Sequence, residues 1–566
     1  MNNEEIKKTD VWQLYEKGRN FNNLMNVYAD TDLNYRMYNG DQWSGLKIEG
    51  IEPVCLNFIK PVIKYKLSVI HSNDYAINYS AENITGLERE IASKSCELLN
   101  RKARIVWEKD RMDRKIRKYT KDSAINDEGI IYATYNSETN NPENEIIYKN
   151  DVFYGNENSE EIQMQPYIII RKRMPVSDVQ NYALKNNVNK SEIINIVGDN
   201  DNYDSTGDDS QYEVNDMCYL LTKMWKENGE VWFSQATKQV VIKKPTNTHL
   251  SLYPLVHMPW EEKVGYSRGE GEVRRLIPNQ LELNKTMMRR LLVAKNTAYP
   301  QKVVNISKVR NPKAINRVGS TIETESRDVE DVRKIFTTTT PAQMSTDVEK
   351  VQGELLSTTR ELAGAGDIAT GEVDPESASG KAILAVQNAS RMPMNEQLET
   401  LKDSIDQLAR IWFDMWKTYA VDGLVIEEEI SDLVTGEKTY RSVEIPPSVL
   451  EKLEANVKID ITPKSPFDKY AQEMSIENML KAGYFNTQKL SELEVYVSLL
   501  DDDSSMPKMK MEEAIKKIKA VQERISQIQN QAQQIQMLTN KFMGEQQDIT
   551  SIGQAGENMY NQAMAR

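Results

Sequence analysis

The spacing of apolar side chains divides the chain into helical and strand-like stretches. From Trp12 to Met37 the pattern is helical and polar. It gives way at Tyr38-Asn39-Gly40-Asp41-Gln42-Trp43, where Asn-Gly predicts a tight turn. Leu87 to Ile131 repeats with a helical period. Glu145 to Arg173 instead predicts strands at Ile146-Ile147-Tyr148, Val152-Phe153-Tyr154 and Tyr167-Ile168-Ile169-Ile170, all β-branched or aromatic. Met224-Trp225 and Val231-Trp232-Phe233, with Gly229 between them, predict a hairpin.

A long helix is predicted from Glu272 to Asn296, carried by Leu276, Leu283, Met287, Met288, Leu291 and Leu292, with Pro278 tolerable near its start and Pro300 stopping it. At about 1.5 Å per residue it spans roughly 37 Å, enough for one leg of an elongated shaft. Lys302-Val303-Val304 and Ser320-Thr321-Ile322 predict the strands of a small β excursion. A second helix starts at Pro341 and runs through Val348, Val351, Leu355, Leu356 and Leu362 until Gly364-Ala365-Gly366 ends it. An acidic loop from Gly364 to Ala378 precedes another long helix, Gly380 to about Tyr419, capped by Ser379, interrupted at Pro393 and ending in the core-like Trp412, Phe413 and Trp416. A strand is predicted at Asn456–Ile461, followed by a helical C-terminal part. There Ile518, Val521, Ile525, Ile528, Ala532 and Ile535 are spaced as a coiled-coil seam, packed against a copy of itself or a neighbour.

Composition narrows the function. With 39% hydrophobic and 28% charged residues the chain should fold, and 566 residues suggest about three or four units. The formal charge of −14 disfavours a tight grip on nucleic acid, yet suits a wall past which a duplex slides, because like charges repel. Cys55, Cys96 and Cys218 lie far apart with no CxxC pair, which predicts neither a disulfide framework nor a thiolate zinc site and fits a reducing cytoplasm. A polar, acidic start and the lack of any run of about 18 apolar residues predict neither a signal peptide nor a membrane span.

The sequence offers no recognisable catalytic motif. Gly366 to Glu372 puts Glu372 where a phosphate-cradling loop needs lysine, and the Gly380-Lys381 pair has Pro375 in place of the leading glycine. His71, His249 and His257 lack the spacing of a helical metal site or an evident nucleophile. Gly198 to Asp209, with Asp199, Asp201, Asp204, Asp208 and Asp209, lacks the glycine and glutamate of a calcium loop and predicts a solvated loop. Glu261-Glu262 and Asp501-Asp502-Asp503 are likewise predicted to be solvated. The expectation is no enzyme, no cofactor and no metal.

Several segments, in order along nearly the whole chain, resemble the portal proteins of tailed bacteriophages. Tyr38-Asn39-Gly40-Asp41-Gln42-Trp43 followed by Asn57-Phe58-Ile59 and Pro61-Val62 is similar to the opening of portals from phages of Gram-positive hosts. Tyr253-Pro254-Leu255 and Gly265-Tyr266-Ser267-Arg268-Gly269-Glu270-Gly271-Glu272, ahead of Gln280 and Asn284, resemble the entry to that family's first stem helix. Ser379-Gly380-Lys381-Ala382 and Val457-Lys458-Ile459-Asp460-Ile461 with Ser465-Pro466 fit the same pattern.

The resemblance implies an α+β, ring-forming portal fold with a mixed α/β wing, a two-helix stem, a small β clip and a helical crown. Mapped on this chain, 1–270 and 379–464 are wing, 271–297 and 341–363 the stem helices, 298–340 the clip, 364–378 the tunnel loop, and 465–566 the crown with a coiled-coil-like helix. It implies a homo-dodecameric channel at one capsid vertex, made in the host bacterial cytoplasm, through which double-stranded DNA is packaged and ejected. The terminase large subunit, then head-completion or adaptor and tail proteins, would dock on it, with the major capsid and scaffolding proteins as further partners and no membrane. Asp367, Glu372, Asp374 and Glu376 would face DNA. Arg274, Arg275, Arg289 and Arg290 would touch phosphates transiently or pair with acids of the next subunit. Lys302, Lys308, Arg310, Lys313 and Arg317 would form the clip docking surface or a solvated loop. Two other readings stand beside it: a cytoplasmic coiled-coil adaptor and a DNA-processing enzyme.

Overall fold

The structure, a computed structural model, describes residues 8–44, 53–81, 89–199, 217–298, 302–317, 319–325, 335–338, 346–362, 392–431, 438–453 and 456–463, with scattered residues between 476 and 558. The chain divides into two compact units, Met1–Leu424 with Ile445–Thr462, and Val425–Glu444 with Pro463–Arg566.

The first unit opens with α1 (Asp10–Leu24) and α2 (Val27–Asn39). The Thr9 hydroxyl caps α1 by accepting from the Trp12 amide at 3.3 Å. The expected single helix is therefore broken at Asn26, in a left-handed conformation at φ 58°. Gly40, at φ 93°, ends α2 where Asn-Gly marked a turn. Next come α3 (Ile59–Ile70), β1 (Asn73–Ser80), α4 (Arg89–Lys109) and α5 (Met112–Asn126). On α4 the buried Ala92, Cys96, Leu99, Ala103 and Val106 follow spacings of three and four, the helical face that the periodicity predicted.

Helix was also expected up to Ile131, and here the structure differs: β2 (Glu128–Asn136) begins three residues earlier. Asp127 turns the chain at φ 75°. Gly129 then lies so close to α5 that a Cβ on it would sit 2.6 Å from the Tyr119 carbonyl oxygen. The short apolar run Ile130-Ile131 is compatible with either period, so only the packing decides it. β2 pairs with β3 (Asn141–Ile147), and its other edge later takes β9.

β4 (Val152–Tyr154), β5 (Tyr167–Pro175), α6 (Val176–Lys185), α7 (Lys190–Ile193), β6 (Met217–Glu227), β7 (Glu230–Ala236) and β8 (Val241–Asn247) follow. The five strands pair in the order β4-β5-β6-β7-β8, all antiparallel. Alternation along β6 explains how the sheet is covered. Tyr219 and Leu221 pack with Trp12 and Tyr15 of α1, while Cys218 and Leu220 pack with Val179 and Ala183 of α6. Asn228 and Gly229, at φ 54° and 84°, make the tight hairpin turn that joins β6 to β7. Asp199 is not solvated: it is buried, and its carboxylate accepts from the Tyr219 amide at 2.9 Å. The remaining aspartates of that predicted loop, Asp201 to Asp209, lie outside the described residues.

After β9 (Leu255–Pro259) comes α8 (Glu272–Ala298), which runs through Pro278 without a break. Then β10 (Lys302–Val304) pairs antiparallel with β11 (Phe336–Thr338), so the strand expected at Ser320–Ile322 is not the partner. That segment instead leads into an isolated bridge, Val309 to Thr324, with Arg310 N donating to Glu323 O at 2.9 Å. α9 (Thr346–Leu362) returns along α8, and Pro341 to Ser345 lie outside the described residues. Asn279 donates to Thr359 at 3.1 Å and Arg290 to Gln352 at 2.6 Å, which makes the two helices antiparallel.

α10 (Asn395–Tyr419) buries Leu401, Ile405, Leu408, Trp412 and Trp416 in the main core, which also holds α3, α5 and the β3-β2-β9 sheet. Its expected earlier part, from Gly380 to Arg391, lies outside the described residues, while Met392–Met394, at the expected interruption, is a 3-10 turn. β12 (Leu424–Ser431) pairs with β13 (Lys438–Ile445), α11 (Pro447–Lys452) follows, and β14 (Asn456–Pro463) pairs with β1. In the second unit α12 (Leu490–Leu499) contributes Tyr496 and Val497 to a small core with Ile515. Of the predicted seam, Ile518, Val521 and Ile525 are exposed in the single chain, while Ile528, Ala532 and Ile535 lie outside the described residues.

Buried amides tie α8 to the segment before α3. Gln280 accepts from the Phe58 amide at 2.9 Å and donates to the Leu56 carbonyl at 2.7 Å, Asn284 accepts from the Leu56 amide at 3.0 Å, and Asn284 donates to Gln42. The two side chains stand in for a strand partner. Gln280→Leu strands the buried Phe58 amide and should lower stability by about 1–3 kcal/mol. Hydrogen exchange would show it as faster exchange at Phe58; an unchanged rate there would contradict this arrangement.

Candidate functional site

The loop from Glu261 to Glu272 holds the sequence Gly265-Tyr266-Ser267-Arg268-Gly269-Glu270-Gly271-Glu272, and it closes on itself. Glu270 N donates to Glu261 O at 2.9 Å, and Glu261 N to Glu270 O at 3.2 Å. Two of its glycines are required by contact. A Cβ at Gly269 would lie 2.6 Å from the Glu261 oxygen, and one at Gly271 would lie 2.9 Å from the Asp127 amide.

Closure buries Arg268, only 3% exposed. Its guanidinium donates to Glu128 at 2.6 Å, to Glu157 at 3.1 Å and 3.2 Å, and to the carbonyls of Val152 and Lys149 at 2.9 Å and 3.3 Å. The Tyr154 ring lies beneath it at 5.0 Å. Arg268 thus spans β2, the Lys149–Asp151 turn, β4 and the loop after β4. His257 of β9 approaches the other Glu128 oxygen at 2.8 Å. Beside this group Lys149 pairs with Asp127 at 2.5 Å, and Asp127 accepts from the Gly271 amide at 2.8 Å. Glu272, the first residue of α8, is buried against Lys66 at 2.7 Å and the Trp260 indole at 3.2 Å. A carboxylate there also suits the helix N-terminus.

Burial pushes the Glu128 carboxyl up, but Arg268 first, then His257 and Lys149, outweigh it and bring it down to about 2. The sequence marked this motif only by resemblance. Its alternation of glycines with Arg268 and Glu272 was the available signal, but Glu128 and Glu157, more than 100 positions away, were not legible.

The predicted contact residues are placed as follows. Arg274 pairs with Asp30 of α2 at 2.6 Å, Arg275 with Glu261, and Arg289 with Glu282 at 3.1 Å, while Arg290 donates to Gln352 of α9. All four therefore have partners within their own chain. Lys302, Lys308, Arg310, Lys313 and Arg317 are all exposed on the excursion between α8 and α9. Lys302 donates to the Ile315 carbonyl at 2.6 Å and Arg310 reaches Glu325 at 3.5 Å. Asp367, Glu372, Asp374 and Glu376 lie outside the described residues. His71 meets Thr120 at 2.7 Å, and His249 is exposed 3.5 Å from Glu230. Among the described residues, no three His, Cys, Asp or Glu side chains gather as a metal site, and no helix is long and apolar enough to cross a membrane.

An α+β chain with an antiparallel helix pair, a small β excursion at the end of that pair, and a buried ionic anchor at its base has the parts of a structural building block. A family model described as Phage P22-like portal protein matches residues 26–565, and the chain belongs to that family. It is thereby a bacteriophage portal protein, a structural protein of an oligomeric ring associated with the capsid at its portal vertex. No curated protein matches the chain.

Arg268→Ala leaves Glu128 and Glu157 buried without their cation and should cost about 3–5 kcal/mol, read as a lowered urea midpoint. An unfolded glutamate titrates at about 4.3, so the stability contributed by Glu128 is complete above that pH. It is lost as pH falls from there through about 2. Glu128→Gln should flatten the acid limb of stability against pH in that window; an unchanged limb would contradict the assignment.

Proposed function

We propose that the protein assembles into a homo-dodecameric channel at one capsid vertex through which double-stranded DNA is packaged and later ejected. The observation that carries this is the α8–α9 pair with its β10–β11 excursion, seated by the Arg268 anchor, in a chain matched to the portal family over nearly its full length. In this reading 271–297 and 341–363 are the stem, 298–340 the clip, 364–378 a tunnel loop, 465–566 the crown, and 1–270 with 379–464 the wing. The ring is a passive conduit. A terminase large subunit supplies ATP-driven work from the clip and is replaced there by head-completion or adaptor proteins, with major capsid and scaffolding proteins around the ring.

The exposed Lys302, Lys308, Arg310, Lys313 and Arg317 offer a charged docking surface on the excursion, which steers a partner and fixes its register. Asp367, Glu372, Asp374 and Glu376 face the duplex and keep contacts weak by repulsion. Arg274, Arg275, Arg289 and Arg290 touch phosphates transiently or pair across subunits, in each case by exchange with the partners they have within the chain. Negative-stain electron microscopy with mass photometry on the purified protein tests the reading. Rings with a central hole and the mass of a dodecamer are expected. A closed particle without a hole, or a stable dimer or trimer under scaffold-assisted assembly, would contradict it.

A further inference from the structure

The sequence between Arg101 and Lys121 runs against the acidity of the whole. It holds ten Lys and Arg residues against three Asp and Glu, a local excess of seven positive charges in a chain of net −14. Folding sorts several of these charges onto one face. Arg114, Arg117, Lys118 and Lys121 fall at intervals of three and four on α5, and all four are exposed. They form a stripe about 10 Å long at 1.5 Å per residue. Lys60 and Lys64 of α3 extend it, because Lys60 and Lys121 stand over the same Tyr38 ring, at 5.5 Å and 5.4 Å.

The neighbouring aspartates are otherwise engaged. Asp110 binds Lys115 and Asn144, and Asp113 accepts from the Trp107 indole at 2.9 Å. Asp122 feels the charges of Lys118 and Lys121, but it is buried and accepts from Tyr35 at 3.1 Å. Among the described residues none of the six stripe cations forms an ion pair within 4 Å of a carboxylate. Instead, Lys118 is held over the Tyr148 ring at 4.8 Å. Stacking on a ring face leaves the ammonium hydrogens free to donate while restraining the long side chain, so less freedom is lost on binding.

A protein interface needs an apolar centre depleted of charge. Among the described residues of α5 and its neighbour turn, the large exposed hydrophobic side chain beside the stripe is Tyr148, already under Lys118. A surface that offers spaced cations without carboxylate partners fits a chain of phosphates. The net negative charge does not cancel it, because charges beyond roughly 8–10 Å are screened at physiological salt. We infer that the α5 stripe with Lys60 and Lys64 is a docking surface for the phosphate backbone of double-stranded DNA. The choice of duplex as the polyanion rests on the portal reading.

The test is fluorescence anisotropy of a short random-sequence duplex titrated with the full-length protein over a series of salt concentrations. It compares wild type, the R114Q/R117Q/K118Q/K121Q variant and the control K185Q/K190Q/K244Q/K417Q, four exposed lysines away from the stripe, with circular dichroism to establish that each is folded. Removing four phosphate contacts should flatten the slope of log affinity against log salt by roughly 3 to 4 and weaken binding at low salt on the order of tenfold or more. The control set should leave the slope unchanged, and R114K/R117K should bind as wild type does. Equal slopes in wild type and the stripe variant overturn the inference. So does a stripe variant that loses ring assembly while binding the duplex unchanged, since the stripe then faces a neighbouring copy. Ring formation, read separately by microscopy, reports on the portal reading: rings that bind no duplex sink this inference alone.

Discussion

The structure depends on one buried cation. Arg268 cannot shed its charge at any pH a protein experiences, so once the loop closes over it every donor of its guanidinium needs a partner. Glu128, Glu157 and two backbone carbonyls supply them. A buried ion pair of this kind contributes little net stability compared with apolar packing, but breaking it is expensive, and that asymmetry makes it a device for specifying one arrangement. What it specifies is where the loop before α8 sits on β2 and β4.

From that point the geometry propagates. Asp127, next to Glu128 in sequence, takes the Gly271 amide, and Glu272 starts α8 against Lys66 and Trp260. Gln280 and Asn284 then hold the next turns of α8 to Leu56 and Phe58. α8 is thereby fixed at its N-terminal half and pairs with α9 from Asn279 onward, while the excursion from Lys302 to Thr338 follows its far end. In the proposed reading, a rigid root and a separate tip suit a subunit that holds a channel wall in place while presenting another surface to partners.

Local pattern made much of this legible. The amphipathic spacing of α4 and α8, the Asn-Gly stop of α2, the Asn228-Gly229 hairpin and the tryptophan-rich end of α10 all follow from nearest-neighbour physics. What stayed hidden depends on distant partners. Lys302-Val303-Val304 was readable as a strand, but its pairing with Phe336–Thr338 was not. The start of β2 at Glu128 is set by the approach of Gly129 to Tyr119, and Asp199 is ordered by the Tyr219 amide. Arg268 could be singled out by its glycine-rich setting, but not the carboxylates that meet it. The basic stripe of α5 was present in the composition of Arg101 to Lys121 and was masked by averaging charge over the whole chain.

If the α8–α9 pair, seated by the Arg268 anchor, lines the channel of the assembled portal, a side-chain-resolution cryo-EM reconstruction of the assembled protein will show it. The expected map has α8 and α9 of every subunit beside the central axis, with the Lys302–Thr338 excursion at one mouth of the channel and Arg268 still enclosed by Glu128 and Glu157. Helices α8 and α9 on the outer rim, or an Arg268 turned out to solvent in the ring, would contradict it.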